Sequence, residues 1–248
     1  MARTFKLTLE YDGTDFNGWQ LQANAPRTVQ GALEAVLQKI FGGTRIPVIG
    51  SGRTDSGVHA RGQVAHFRVE TAMAADELMR AMNFNLPRDA VVVGIEEVDA
   101  SFHAQLSAVS KVYTYTILNR SYATALERHY CYFFPRKLDI KLLRQEAACF
   151  VGCHDFRSFA NVDPSRTGGT VRTIQRLEVN QHGDVIQITI EADGFLYKMV
   201  RNIAGTLLEV GAGRFPPGSV THMLHAQDRR SAGVAAPPQG LCLETVKY

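Results

Sequence analysis

Two successive stretches of the chain carry the same order of hydrophobic periods, and that repetition constrains the fold more than any single residue does. In the first, Phe5, Leu7, Leu9 and Tyr11 alternate with Lys6, Thr8 and Glu10, the period of a half-buried strand. Thr28 offers a cap for a helix whose one face is Val29, Leu33, Val36, Leu37 and Ile40, and Gly42-Gly43 offers its stop. Two strand-like runs follow, Ile46 to Ile49 and Gln63 to Val69, then a helical period from Met73 to Asn83 and the apolar strand Val91 to Ile95. In the second, Tyr113, Tyr115 and Ile117 alternate with Val112, Thr114 and Thr116, and a helix is predicted from Asp139 to Val151. A hairpin around Gln181-His182-Gly183-Asp184 comes next. The face Met199, Val200, Ile203, Leu207 and Val210 ends at Gly211, with Lys198, Arg201, Asn202 and Glu209 sharing the polar side of that helix, and Leu241 to Val246 reads as a short last strand. The order β-α-β-β-α-β, met twice, predicts an α+β fold of two ferredoxin-like (RRM-like) halves. Their strands would form a mixed, mainly antiparallel sheet with flanking helices and a central cleft. The boundary falls near Ser101 to Ser110, giving halves 1–105 and 106–248.

Between the second and third strand signals of the first half lies Gly50-Ser51-Gly52-Arg53-Thr54-Asp55-Ser56-Gly57-Val58-His59-Ala60. Three glycines, one arginine and one aspartate in an inter-strand loop mark backbone shaped around something. Asp55 has the chemistry of a nucleophile or base, and Arg53 is a planar, permanently charged fork. Thr-Asp-Ser-Gly is equally a good turn sequence, and Arg53 could equally brace the loop through backbone carbonyls. Each half also carries a long loop, Asp12 to Arg27 and Phe156 to Val171, of the length that usually serves function.

The formal charge of +3 over 248 residues permits an acidic partner without demanding one. Locally, Arg157, Arg166, Arg172 and Arg176 outnumber Asp155 and Asp163 between His154 and Arg176. Cys149, Cys153 and His154 have no second ligand pair at finger-like spacing, so the four cysteines are expected to be buried free thiols in a reducing cytosol. Neither a signal peptide nor an apolar run of membrane-spanning length is present, so a cytoplasmic protein is expected.

The Gly52 to Ala60 string resembles the signature loop of the tRNA pseudouridine synthase A (TruA) family. Further motifs resemble that family in order: Tyr11-Asp12-Gly13-Thr14, Phe16, Gly18-Trp19-Gln20, Thr28-Val29-Gln30-Gly31, Ser101-Phe102-His103-Ala104, Lys111-Val112-Tyr113-Thr114-Tyr115, His154-Asp155-Phe156, Met199-Val200-Arg201-Asn202 and Gly240-Leu241 with Leu243. The resemblance implies an isomerase that converts uridine to pseudouridine at positions 38 to 40 of the tRNA anticodon stem-loop, as a homodimer, without cofactor or metal. It implies Asp55 as the catalytic carboxylate, either attacking C1′ or deprotonating C2′. It implies Arg201 as the charge partner of Asp55, and Tyr113 as the ring stacked on the uracil and a helper in moving the C5 proton. Arg53 would insert beside the flipped base, and Thr54, His59 and Leu243 would lie at the substrate. The chain departs from the family pattern at Gln105, Val112 and Thr114, where basic residues are usual. That opens a different target uridine. The rival class is a non-catalytic RNA-binding module of tandem RRM-like units, which would have no use for Asp55. Trp19 and Phe16 read equally as a base-stacking platform or as fold anchors.

Overall fold

A computed structural model describes residues 2–161 and 168–248. Asp163 and Arg166, two of the charges in the second long loop, lie outside the described residues. The fold is α+β, and the chain divides into two compact units, Met1–Val109 with Leu243–Tyr248, and Ser110–Cys242.

The first unit begins with β1 (Arg3–Tyr11), α1 (Val29–Ile40), β2 (Ile49–Gly50), β3 (His59–Val69), α2 (Ala75–Asn85) and β4 (Ala90–Val98). Strand β1 runs antiparallel between β3 and β4, and its register sets Phe5 opposite Phe67 with rings 5.6 Å apart. Helix α1 starts where its cap predicts, the Thr28 hydroxyl accepting the Gly31 N–H at 3.2 Å. Leu33 and Leu37 from α1, Leu78 and Met82 from α2, and Phe5, Leu7 and Phe67 from the sheet are fully buried. Within the strand-like run Gln63 to Val69, Gln63 and His66 are as buried as Val64 and Phe67. Being interior to its sheet and covered on both faces, β3 keeps its polar side chains only because each has a protein partner.

The second unit follows as β5 (Ser110–Leu118), β6 (Tyr132–Phe133), α3 (Ile140–Ala148), β7 (Gly152–Asp155), β8 (Val171–His182), β9 (Val185–Ala192), α4 (Met199–Gly211) and α5 (Ser219–Ala226). Its strands lie in the order β5-β9-β8-β7, all antiparallel, with β6 parallel to β5. The hairpin turns at Gly183 with φ 60°, a backbone glycine supplies without strain. Helix α3 is capped by Asp139, whose carboxylate accepts the Leu142 N–H at 3.0 Å.

Two sequence expectations need correction. The polar residues of α4 do not form a wet side: Asn202 and Thr206 are fully buried and Glu209 nearly so. The Asn202 amide donates to Phe159 O and Asn161 Oδ1 and accepts from Arg229, while Glu209 pairs with Arg214 at 2.7 Å. Of the four cysteines only Cys131 is buried, and Cys153 is exposed. Helix α5 was not predicted from the sequence, and only Val220, Met223 and Leu224 of its eight residues turn inward.

The chain ends in β10 (Leu241–Lys247), whose residues from Leu243 onward belong to the first unit and lie beside β3. Val109 N–H donates to Lys247 O, and the Tyr248 hydroxyl donates to Ala104 O at 2.7 Å. Among the described residues no helix is long and apolar enough to cross a membrane.

Candidate active site

The loop from Ser51 to Val58 is held at its base by one side chain, Gln63. Its Oε1 accepts from the Ser51 hydroxyl at 2.8 Å and from Val64 N–H, and its Nε2 donates to Gly52 O at 3.1 Å and to the Tyr11 hydroxyl at 3.4 Å. The middle of the loop is held by Thr54, buried between exposed Arg53 and half-buried Asp55. Its Oγ1 meets the Tyr11 hydroxyl at 2.8 Å, and its carbonyl accepts the Trp19 N–H at 3.0 Å. With the middle residue turned in, its two neighbours turn out, as alternation of an extended segment requires.

The far side is closed by the first long loop. Ser56 Oγ donates to Phe16 O at 3.1 Å, Gly57 N–H donates to the same carbonyl, and Asp55 O closes the turn by accepting the Val58 N–H at 3.1 Å. Gly57 holds φ 78° to make that turn. Backbone approaches backbone so closely here that a methyl on Gly13 would lie 2.0 Å from Val58 O. Trp19 and Phe16 are almost fully buried, Trp19 against Tyr11 and Gly50, and Phe16 under the Arg27 guanidinium at 4.2 Å. They anchor the fold and do not form a base-stacking platform. Tyr11 thus joins Thr54 to Gln63 inside a buried network. Replacing it by phenylalanine should remove about 1–2 kcal/mol of stability, read as a lower urea midpoint at unchanged slope; an unchanged midpoint would mean that the hydroxyl bonds carry nothing.

His59 is buried at the start of β3. Its Nδ1 accepts the Gly13 N–H at 3.0 Å and lies 3.2 Å from Asp12 Oδ1. One ring nitrogen serves one of these partners at a time, and the amide, which can only donate, fixes Nδ1 as the acceptor. Leu243 on β10 is buried in the same unit. Arg53, Thr54, Asp55 and His59 therefore belong to one braced segment, and only Arg53 is fully at the surface.

The remaining predicted residues belong to the second unit. Tyr113 on β5 is paired across to Ile190, is 7% exposed, and packs edge-on against Phe195 with ring centres 5.1 Å apart. Val112 and Thr114, where basic residues are usual in the resembling family, are buried in the sheet. Arg201 is half-buried in the first turn of α4, just after Lys198, whose φ of 59° starts the helix from the left-handed region. Its Nε donates to Ala236 O at 2.8 Å and its carbonyl accepts the Ala236 N–H at 2.9 Å. Residues 232–237 form a strap along α4, pinned by Gly233 N–H to Thr206 Oγ1 at 3.0 Å and by the Tyr115 hydroxyl to Pro237 O at 2.8 Å. The carbonyl that fixes the guanidinium is therefore itself fixed. Burial pushes the Tyr115 phenol well above its usual range, so it remains a donor.

In the basic stretch before and within β8, Arg157 lies 3.8 Å from Asp155, Arg176 faces Glu178 and Glu191, and Arg172 donates to Gly169 O and Val171 O. Its charge is largely answered within the protein. No cluster of three or more metal-ligating side chains exists among the described residues. What sequence reasoning missed is the brace: Gln63 was one polar residue in a strand, and its signal was only that an inward position carried an amide.

Comparison with known proteins gives a consistent picture. A family model described as tRNA pseudouridine synthase matches residues 8–106 and 147–248. The chain is 42% identical over 250 residues to tRNA pseudouridine synthase A 2 of Clostridium perfringens (strain 13 / Type A), spanning 99% of this chain and all of that protein. It is 43% identical over 248 residues to tRNA pseudouridine synthase A of Geobacillus sp. (strain WCH70), covering all of this chain and 99% of the other. The protein of the same name from Thermoanaerobacter sp. (strain X514) is 44% identical over 246 residues, at 99% and 100% coverage.

Proposed function

Because the chain belongs to the tRNA pseudouridine synthase family, it is an enzyme that isomerises uridine in tRNA, and we propose that Asp55 carries the reaction. The observation that supports this most is the double brace on its loop. A carboxylate whose neighbours Thr54 and Ser56 are bonded to Tyr11 and Phe16 is preorganised for one task.

Isomerisation breaks the bond from N1 to C1′, turns the uracil and joins C5 to C1′. C5 loses a proton and N1 gains one, so substrate and product have the same composition. An ionised Asp55 starts this by adding to C1′ as the uracil leaves, or by removing the C2′ proton to give a glycal. Both branches use the same oxygen atoms and need no other cofactor. Arg201 is the charge partner of that carboxylate, and Arg53 fills the space that a uridine vacates on leaving its stem. Thr54, His59 and Leu243 shape the substrate site from behind.

Tyr113 stacks on the uracil, and its hydroxyl assists the departure of the C5 proton. Tyr113→Phe keeps the ring, so tRNA affinity should hold while single-turnover tritium release from C5-labelled uridine slows by about a hundredfold. A rate equal to wild type would remove the hydroxyl from the proton path. The targets are uridines 38 to 40 of the anticodon stem-loop, and the working form is a cytoplasmic homodimer. The motif resemblance supports these finer assignments. A tRNA with all three uridines replaced should release no tritium from the remaining labelled sites; undiminished release would move the target elsewhere.

A further inference from the structure

We propose that the segment from Asn119 to Lys137, which follows β5, is a contact surface for the body of the tRNA, away from the uridine being isomerised. This rests on the reading of the chain as a tRNA enzyme with Tyr113 at the target base. Tyr113 and Leu118 stand five residues apart on one strand, about 17 Å at 3.4 Å per residue. The segment begins beyond that point, too far along for its side chains to share the target nucleotide. It also lies in the stretch between the two segments matched by the family model.

The base of the segment is rigid. Asn119 donates to Phe134 O and Arg136 O at 2.7 and 2.8 Å, and Phe134 N–H returns to Leu118 O. Its apex displays large side chains: Tyr122 is 64% exposed, Leu126 85% and Tyr130 48%. The Arg120 guanidinium lies 4.2 Å from the centre of the Tyr122 ring, and its Nε donates to Tyr122 O. Arg120 also stands 3.7 Å from Asp184, but Arg128, Arg136 and Lys137 are exposed. Four cations against the single carboxylate of Glu127 give the segment a charge of +3, the formal charge of the entire chain, so the rest of the molecule balances to zero. Exposed rings interleaved with cations suit stacking on bases or riboses beside phosphates. A solvated loop has no use for the rings, and a protein partner no need of so one-sided a charge.

The test is the double variant Tyr122→Ala, Arg128→Gln, both at exposed positions, with tRNA as the probe. Its Kd should weaken roughly tenfold, and log Kd should depend less steeply on log salt, by about one in slope. Tritium release at saturating tRNA and the unfolding midpoint should match wild type. Wild-type Kd and slope in the variant would overturn the proposal and give the face to a protein partner or to solvent. A fall in saturated turnover would also overturn it, by placing the segment in the chemistry. Failure of the wild type to release tritium from tRNA would instead refute the functional reading beneath it.

Discussion

Asp55→Asn should leave an enzyme that binds tRNA within about twofold of wild type and turns it over more than about a thousandfold more slowly. Asparagine matches aspartate in shape and is equally at home in a turn. The loop is held through Thr54, Ser56, Gly57 and the backbone carbonyl of Asp55, none of which the substitution alters. What disappears is the only carboxylate between Gly50 and Ala60, and an amide can neither attack C1′ nor take a proton from C2′. The measurements are tritium release from C5-labelled tRNA and a filter-binding Kd on the same preparation. A parallel loss of turnover and affinity would mean that the aspartate holds the loop, and the catalytic assignment would fall.

Gly205→Ala should lower stability by about 3 kcal/mol, although alanine in a helix interior normally adds about 0.5–1 kcal/mol over glycine. The sign is reversed by what lies against α4. A methyl at residue 205 would stand 1.9 Å from Val234 O and 3.0 Å from Ala236 N, and backbone cannot swing aside as a side-chain tip can. The strap over residues 232–237 would have to lift, weakening the Ala236 N–H bond to Arg201 O, the Arg201 Nε bond to Ala236 O and the Gly233 bond to Thr206. Turnover should fall with stability, because the carbonyl that orients the Arg201 guanidinium moves with the strap. Urea unfolding measures the first effect and tritium release the second. A raised midpoint would show that the strap is not packed on the helix.

The parts of this molecule that were legible in its sequence are those where one residue states its own reason. Thr28 and Asp139 cap their helices, Gly183 turns its hairpin, and the glycines around Asp55 flag a shaped loop. The parts that were not legible depend on a partner distant in sequence. Polar residues in α4 implied water on that face, but Asn202 is met by Phe159, Asn161 and Arg229, and Glu209 by Arg214. The run Gln63 to Val69 read as a strand without saying what covers it; β1 and β10 flank it, and Gln63 and His66 bond inward. At the site, the aspartate was visible and its brace was not. The clamp consists of carbonyls of Phe16 and Thr54 and of spaces left by missing methyls at Gly13 and Gly18. A carbonyl carries no side-chain signature, and a glycine records only that something is close, not what.

The return of the last strand to the first unit has a consequence for how the chain is made. A ribosome delivers β1 to β4 early, yet β3 gains its β10 neighbour only when Leu243–Tyr248 emerge, long after α1 and α2 have been available to fold; until then β2 covers that side of β3 at Ala65 and His66 alone. An eleven-residue strand, buried along most of its length in the finished fold and unpaired along much of one side before β10 arrives, is the kind of edge on which nascent chains aggregate. The unit that is synthesised first therefore waits for Leu243–Tyr248, so the Ser51–Val58 loop and Asp55 with it sit on a sheet that gains β10 only after the whole second unit has been made.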